Sequence, residues 1–158
     1  MGRVWKLGDN VDTDVITPTE YLGSREEYVA HALEPLRPEF ADEVEPGDVV
    51  VAGRNFGSGS SRESAAIAFL DNEVEAVIAE SFSRIFFRNA INIGLPVYIL
   101  PEAAEIADGA SVEIDHESAT IYDRHTDRDY QAEEHPEFIR EMIRLGGLKA
   151  YRDQLQDA

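Results

Sequence analysis

One stretch of the sequence gathers the side chains that can act on a small anion: Gly53-Arg54-Asn55-Phe56-Gly57-Ser58-Gly59-Ser60-Ser61-Arg62-Glu63. It follows the apolar run Val49-Val50-Val51-Ala52 and precedes Ala65, Ala66, Phe69 and Leu70, which share one helical face. The stretch therefore carries the chain from a buried strand into a helix. A helix start leaves amide N–H groups unpaired and carries partial positive charge, which suits an anion. The hydroxyls of Ser60 and Ser61 and the guanidinium of Arg62 add donors able to grip a carboxylate or phosphate, the latter group in bidentate fashion. Ser60 and Glu63 also have capping-box spacing, so those two residues by themselves read equally well as a helix cap. Known phosphate loops do not match: Gly57-x-Gly59-x-x-Arg62 lacks the third glycine of a dinucleotide loop, and no Gly-Lys-Ser/Thr occurs. A carboxylate is the better ligand.

Other polar residues have plainer readings. Asp12 and Asp14 flank Thr13 in Gly8-Asp9-Asn10-Val11-Asp12-Thr13-Asp14, where turn formation and backbone capping explain them better than paired catalytic carboxylates. Arg54 and Asn55 share the serine loop. Arg84 and Arg88 lie one helical turn apart further on, placed to meet a partner or local carboxylates. His31, His116, His125 and His135 show no metal-ligand spacing and read as surface or structural residues. The chain has no cysteine, which excludes disulfides, thiolate metal sites, iron–sulfur ligation and cysteine nucleophiles within it.

The elements that must position the serine loop follow from periodicity. A helix is predicted over 61–70, a strand over 76–79, a second helix over 83–92 and a third strand over 96–100. Such strand–helix alternation gives right-handed crossovers and a parallel sheet. Residues 111–115 and 119–122 alternate polar and apolar, as half-exposed antiparallel strands do. Phe138, Ile139, Met142, Ile143 and Leu145 fall at helical spacing up to a stop or break at Gly146-Gly147. Near the N-terminus, the residues read as turn, short strand at Val15-Ile16, and turn before Pro18. Residues 23–47 read as a charged connection with a short helix from Glu26 to Leu33, interrupted by Pro35, Pro38 and Pro46. With little continuous apolar face, this segment is expected to be mobile. The expected architecture is a single α/β domain over 1–158, with a central parallel unit and an added antiparallel β layer.

Composition narrows the partners. With 32 acidic and 14 basic side chains the net charge is −18, and only Lys6 and Lys149 accompany twelve arginines. Nucleic acid and anionic membranes need basic surfaces, so both are poor candidates. Hydrophobic residues make up 43% of the chain, enough for a core. No apolar h-region or membrane-length run is present, and a cytoplasmic location is expected. The acidity reads either as a solvated surface or as adaptation to a high-salt cytoplasm, in which case low salt weakens both folding and docking.

The serine loop resembles the signature of the aconitase swivel-domain family, in its free-standing small-subunit form. The resemblance continues through Ala79-Glu80-Ser81-Phe82-Ser83-Arg84-Ile85-Phe86-Phe87-Arg88-Asn89-Ala90-Ile91-Asn92-Ile93-Gly94-Leu95-Pro96 and includes the opening Gly8 to Ile16. It spans most of the chain up to about residue 130. It implies a swivelling β/β/α domain that completes a hydro-lyase site on a large subunit. That partner carries a [4Fe-4S] cluster whose open iron binds the substrate hydroxyl and a carboxylate, and this chain binds no cofactor itself. Carried over by position, Ser60 is the base that removes the proton beside a substrate carboxylate, and Ser61 and Arg62 hold a carboxylate. The turn Tyr21-Leu22-Gly23-Ser24 matches the loop that sets substrate choice, making Gly23 and Ser24 substrate-binding positions within a specificity region over 23–47. Related homoaconitase subunits place an arginine after the Tyr-Leu pair for an extra carboxylate. Gly23 here favours an apolar substituent, although Arg25 stands close by. The implied reaction converts 2-isopropylmalate to 3-isopropylmalate through 2-isopropylmaleate, in leucine synthesis. Homoaconitate or a methylated malate such as 2,3-dimethylmalate is the alternative substrate, and a non-catalytic carboxylate-binding module is a more distant one.

Overall fold

The computed structural model describes residues 2–157. Its central strand is β1 (Gly2–Lys6), which pairs in parallel with β2 (Val49–Ala52) and antiparallel with β5 (Ser111–Asp115). β2 continues in parallel to β3 (Ala76–Ala79) and β4 (Val97–Ile99), while β5 continues antiparallel to β6 (Thr120–Asp123) and β7 (Arg128–Gln131). The strand order is thus β4-β3-β2-β1-β5-β6-β7. The sheet curls so far that Glu133, just beyond β7, donates its N–H to the Ile99 carbonyl of β4 at 2.9 Å.

Every residue of β2 and β3 is buried, as expected of parallel strands covered on both faces. Val49, Val51 and Ile78 face into the curl against Val112, Ile121 and Tyr130. Val50, Ala52, Val77 and Ala79 face the other way, beneath the helices. On that side α4 (Glu63–Asp71) and α5 (Arg84–Ile93) follow β2 and β3, and α6 (Glu137–Leu145) and α7 (Leu148–Asp157) complete the layer. Aromatic rings tie it together edge to face: Phe56 on Phe86 at 5.1 Å and 81°, Trp5 on Phe40 at 5.1 Å and 82°.

The α/β architecture with parallel and antiparallel parts is as the sequence implies, and the differences are local. Val15 and Ile16 belong not to a strand but to the one-turn helix α1 (Thr13–Ile16), because the Asp12 carboxylate caps the Asp14 N–H at 2.8 Å. Strands β1 and β7 carry too little alternation to announce themselves; in β7 only Tyr130 is buried. Helix α7 resumes directly after Gly146-Gly147, so the glycines break the helical run rather than end it. Residues 23–47 hold α2 (Arg25–Ala30) and α3 (Phe40–Glu43), and bury Tyr28, Ala32, Leu33 and Phe40. These anchors are spaced irregularly across the prolines, which hides them from any periodicity. Among the described residues no helix is long and apolar enough to cross a membrane.

Candidate active site

The loop between β2 and α4 is held from both sides by the other two sequence motifs. On one side Asn10 donates its N–H to the Arg54 carbonyl, Gly57 donates to Val11, and Thr13 donates to Ser58, each at 2.8 Å. The Thr13 hydroxyl adds a bond to the Ser60 carbonyl at 3.1 Å. On the other side Phe56 donates to the Ser81 carbonyl at 3.0 Å and Ser83 donates back to Phe56 at 2.8 Å. The Ser81 hydroxyl accepts from the Asn55 N–H, and the Ser83 hydroxyl donates to the Gly57 carbonyl, both at 2.8 Å. Two glycines make this lacing possible. Gly57 and Gly59 have φ of +82° and +92°, and a Cβ would overlap Phe86 at the first and the Asp12 carboxylate at the second.

The result is a rigid backbone with free side chains. Helix α4 starts at Glu63, its N-cap Arg62 is extended (φ −120°, ψ 115°), and no side chain caps it. The Ser60–Glu63 capping box is therefore not formed. Ser60 and Ser61 are exposed, and their hydroxyls have no hydrogen-bond partner among the described residues. The Glu63 and Ser64 amides at the start of α4 have no partner among the described residues, while that of Ala65 donates to the Arg62 carbonyl at 3.4 Å.

Arg62 is positioned by residues that sequence spacing did not connect to it. Its side chain is only 20% exposed and pairs with Asp14. It also donates to the Thr17 carbonyl and the Thr19 hydroxyl, both at 3.2 Å. Asp14 follows the Asp12 cap by two residues, and the helical turn of α1 is what turns it toward Arg62. Thr17 is fully buried, and its hydroxyl lies 3.2 Å from that of Ser64. Among the described residues Arg62 makes no hydrogen bond to Ser60. Arg54 is 74% exposed and among the described residues its side chain reaches only Asp9, 3.5 Å away. Donation from the Arg54 backbone N–H, at 2.7 Å, holds the Asp9 carboxyl below its usual range.

The turn 21–24 has its own anchor. The Tyr21 hydroxyl donates to Glu34 at 2.9 Å, His31 Nδ1 lies 2.5 Å from the same carboxylate, and the Tyr21 and His31 rings stack at 3.8 Å. His31 thus has the structural role that was one of its two expected readings, fastening a turn through Glu34 and Tyr21. Gly23 is exposed, with the Glu27 carboxylate in van der Waals range of where a Cβ would stand, and the Ser24 hydroxyl caps α2 by accepting from the Glu27 N–H at 3.1 Å. Arg25 is turned away into a bidentate pair with Asp71 at 2.6 and 2.8 Å. Among the described residues no group of three His, Asp or Glu could hold a metal ion.

Known proteins resemble this chain in sequence and fold. Residues 10–102 fit the aconitase C-terminal domain family. The 3-isopropylmalate dehydratase small subunit 1 of Archaeoglobus fulgidus is 49% identical over 99% of both chains. The methanogen homoaconitase small subunit of Methanothermobacter thermautotrophicus is also 49% identical, over 93% of this chain and 86% of its own. The crystal structure of 3-isopropylmalate dehydratase from Methanocaldococcus jannaschii superposes with a TM-score of 0.92 at 43% identity, covering 99% of this chain and 96% of that one. With motifs, fold and full-length similarity in agreement, the chain belongs to the aconitase C-terminal domain family, among the small subunits of 3-isopropylmalate dehydratase.

Proposed function

We propose that this chain is the catalytic small subunit of a hydro-lyase that isomerises 2-isopropylmalate to 3-isopropylmalate, working on a large subunit in the cytoplasm. One observation carries the reading: two adjacent serine hydroxyls stand exposed and unpartnered on a laced backbone, ahead of open helix amides and beside a positioned guanidinium. In this reading Ser60 takes the proton from the carbon next to a substrate carboxylate as the hydroxyl leaves the adjacent carbon, giving the alkene; on rehydration the hydroxyl adds to the first carbon and Ser60 delivers the proton to the second. Ser61, the α4 amides and Arg62 hold that carboxylate. A serine hydroxyl is a weak base, and the positive end of α4 favours its ionised form. Of the five guanidinium N–H groups of Arg62, at most three are engaged by Asp14, Thr17 and Thr19, so donors remain for substrate. The chain has no cysteine, so the iron–sulfur cluster belongs to the large subunit.

The substrate substituent is argued from the turn at Gly23. Gly23 offers no side chain, Ser24 is engaged in capping, and Arg25 is committed to Asp71, leaving no cation at this turn for a third carboxylate. An isopropyl group fits this better than the acidic arm of homoaconitate, which the equal identity to a homoaconitase subunit leaves as the second reading. We take the exposed turn and the start of α2 as the part of segment 23–47 that orders further on docking; hydrogen exchange with and without the large subunit reads this directly. The deciding experiment assays the reconstituted pair on 2-isopropylmalate, homoaconitate and citrate side by side. Turnover is expected on the first, and Ser60→Ala should reduce it by at least about a thousandfold. Wild-type turnover by Ser60→Ala would sink the assignment of the base.

A further inference from the structure

The outer face of α5 carries arginines for which the chain itself provides no use. Arg84 is the first residue of the helix and Arg88 lies one turn on, both exposed, with Ile85 46% exposed between them. The ion pairs of the described residues use Arg25, Arg37, Arg54, Arg62, Arg128 and Arg144 together with two histidines, never Arg84 or Arg88. Arg84 stands at the positive end of a helix, where a cation is disfavoured. The helices α1 to α4 each place an acidic residue in the first turn; α5 places none. In a chain with 32 acidic side chains, two unpaired arginines four residues apart on an exposed helix face are not accounted for by folding.

Their location gives them a use. Ser83, the N-cap of α5, is bonded to Phe56 and Gly57, and Phe86 lies against Gly57, so the start of α5 flanks the serine loop. Behind Arg88 the surface continues into an apolar groove of about 340 Å³ between α5 and α6, lined by Phe87, Ile91, Phe138 and Met142. Phe138 is 53% exposed. A basic strip with an exposed isoleucine within it and an apolar groove behind it, next to a site that needs a second subunit to complete it, has the composition of an interface.

We propose that Arg84, Ile85 and Arg88 of α5, with the groove behind them, form a docking surface for the large subunit, receiving a surface of that partner that is acidic at its rim and apolar within. This rests on the reading of the chain as a small subunit. The test measures the affinity of the intact chain for its cluster-loaded large subunit by calorimetry. Arg84→Glu and Arg88→Glu should each raise Kd about tenfold or more. Arg124→Glu, on the exposed β6–β7 turn, should leave it unchanged. The gap between wild type and the α5 variants should narrow as salt is added, because exposed ion pairs are screened. Unchanged melting curves establish that the variants fold. If the wild-type chain bound no large subunit, the small-subunit reading itself would fall. If it bound and both α5 variants bound equally well, or lost turnover while binding normally, only the docking surface would be overturned.

Discussion

Arg62 and His135 show how far a single residue can be argued from its surroundings. Arg62 is fixed before any substrate arrives, by a carboxylate, a carbonyl and a hydroxyl that approach from residues 14 to 19. Lysine would keep the charge but lose the planar fork, so Arg62→Lys should raise the KM of the reconstituted enzyme about 10- to 100-fold. Kinetics across substrate concentrations check this; an unchanged KM would take Arg62 out of the substrate's reach. His135 lies near the seam where the chain returns to β4, and its Nε2–H donates to the Val97 carbonyl at 2.7 Å. Burial lowers its pKa from the ordinary value of 6.5, outweighing the bond to Val97, which acts the other way. Folding therefore favours the neutral ring, and stability should decline as pH falls through about 6.5 and into the lowered range. His135→Gln keeps a donor without the titration, so its unfolding free energy should fall less between pH 7 and 5. The serine pair and Arg62 were legible in the sequence because glycines, hydroxyls and a guanidinium cluster within seven residues. The resemblance placed Thr13 and Asp14 near the site, but that Asp14, Thr17 and Thr19 hold Arg62 was not legible, because their partner lies more than 40 residues away and only folding brings it near.

The element that decides the site is the β2–α4 loop, and its geometry depends on what crosses it. Gly57 combines a left-handed backbone with direct contact on Phe86, whose ring also packs on Phe56 and Phe69. An added methyl group must displace α5 or the loop itself, since it would meet the Cβ and Cγ at the root of the Phe86 side chain and not a loose end. Gly57→Ala should cost at least about 2 kcal/mol of stability, from positive φ and overpacking together. Chemical denaturation checks the size, and a loss below about 0.5 kcal/mol would mean that the loop yields easily. Periodicity placed α4 and α5 to within two residues, because both bury one apolar face against the sheet. It misread Val15-Ile16 as a strand, because a four-residue helix has no period to detect and owes its turn to the Asp12 cap. The capping box that Ser60 and Glu63 suggested is likewise absent, because the helix begins too late for Ser60 to reach it.

At the scale of the molecule the net charge of −18 acts as a distributed repulsion, which counterions relieve. In the proposed function a dicarboxylate still has to reach Ser60, where the open end of α4 and the remaining Arg62 donors supply the local positive charge. The midpoint of thermal unfolding should therefore rise between dilute buffer and molar potassium chloride; an indifferent midpoint would remove the high-salt reading and leave the active site untouched. The candidate serine loop and the α/β class of the fold can be read from local patterns alone. The serine loop, its flanking strand and helix, and the absence of cysteine are all local statements, and hydrophobic periodicity reports each element's own buried face. Tertiary structure alone decided the rest: that β1 is the centre of a curled seven-stranded sheet, that two distant motifs lace the serine loop, and that Arg25 pairs with Asp71. Those outcomes rest on contacts between residues tens of positions apart, which no local pattern encodes. They form only when burial of the two core faces forces the elements together.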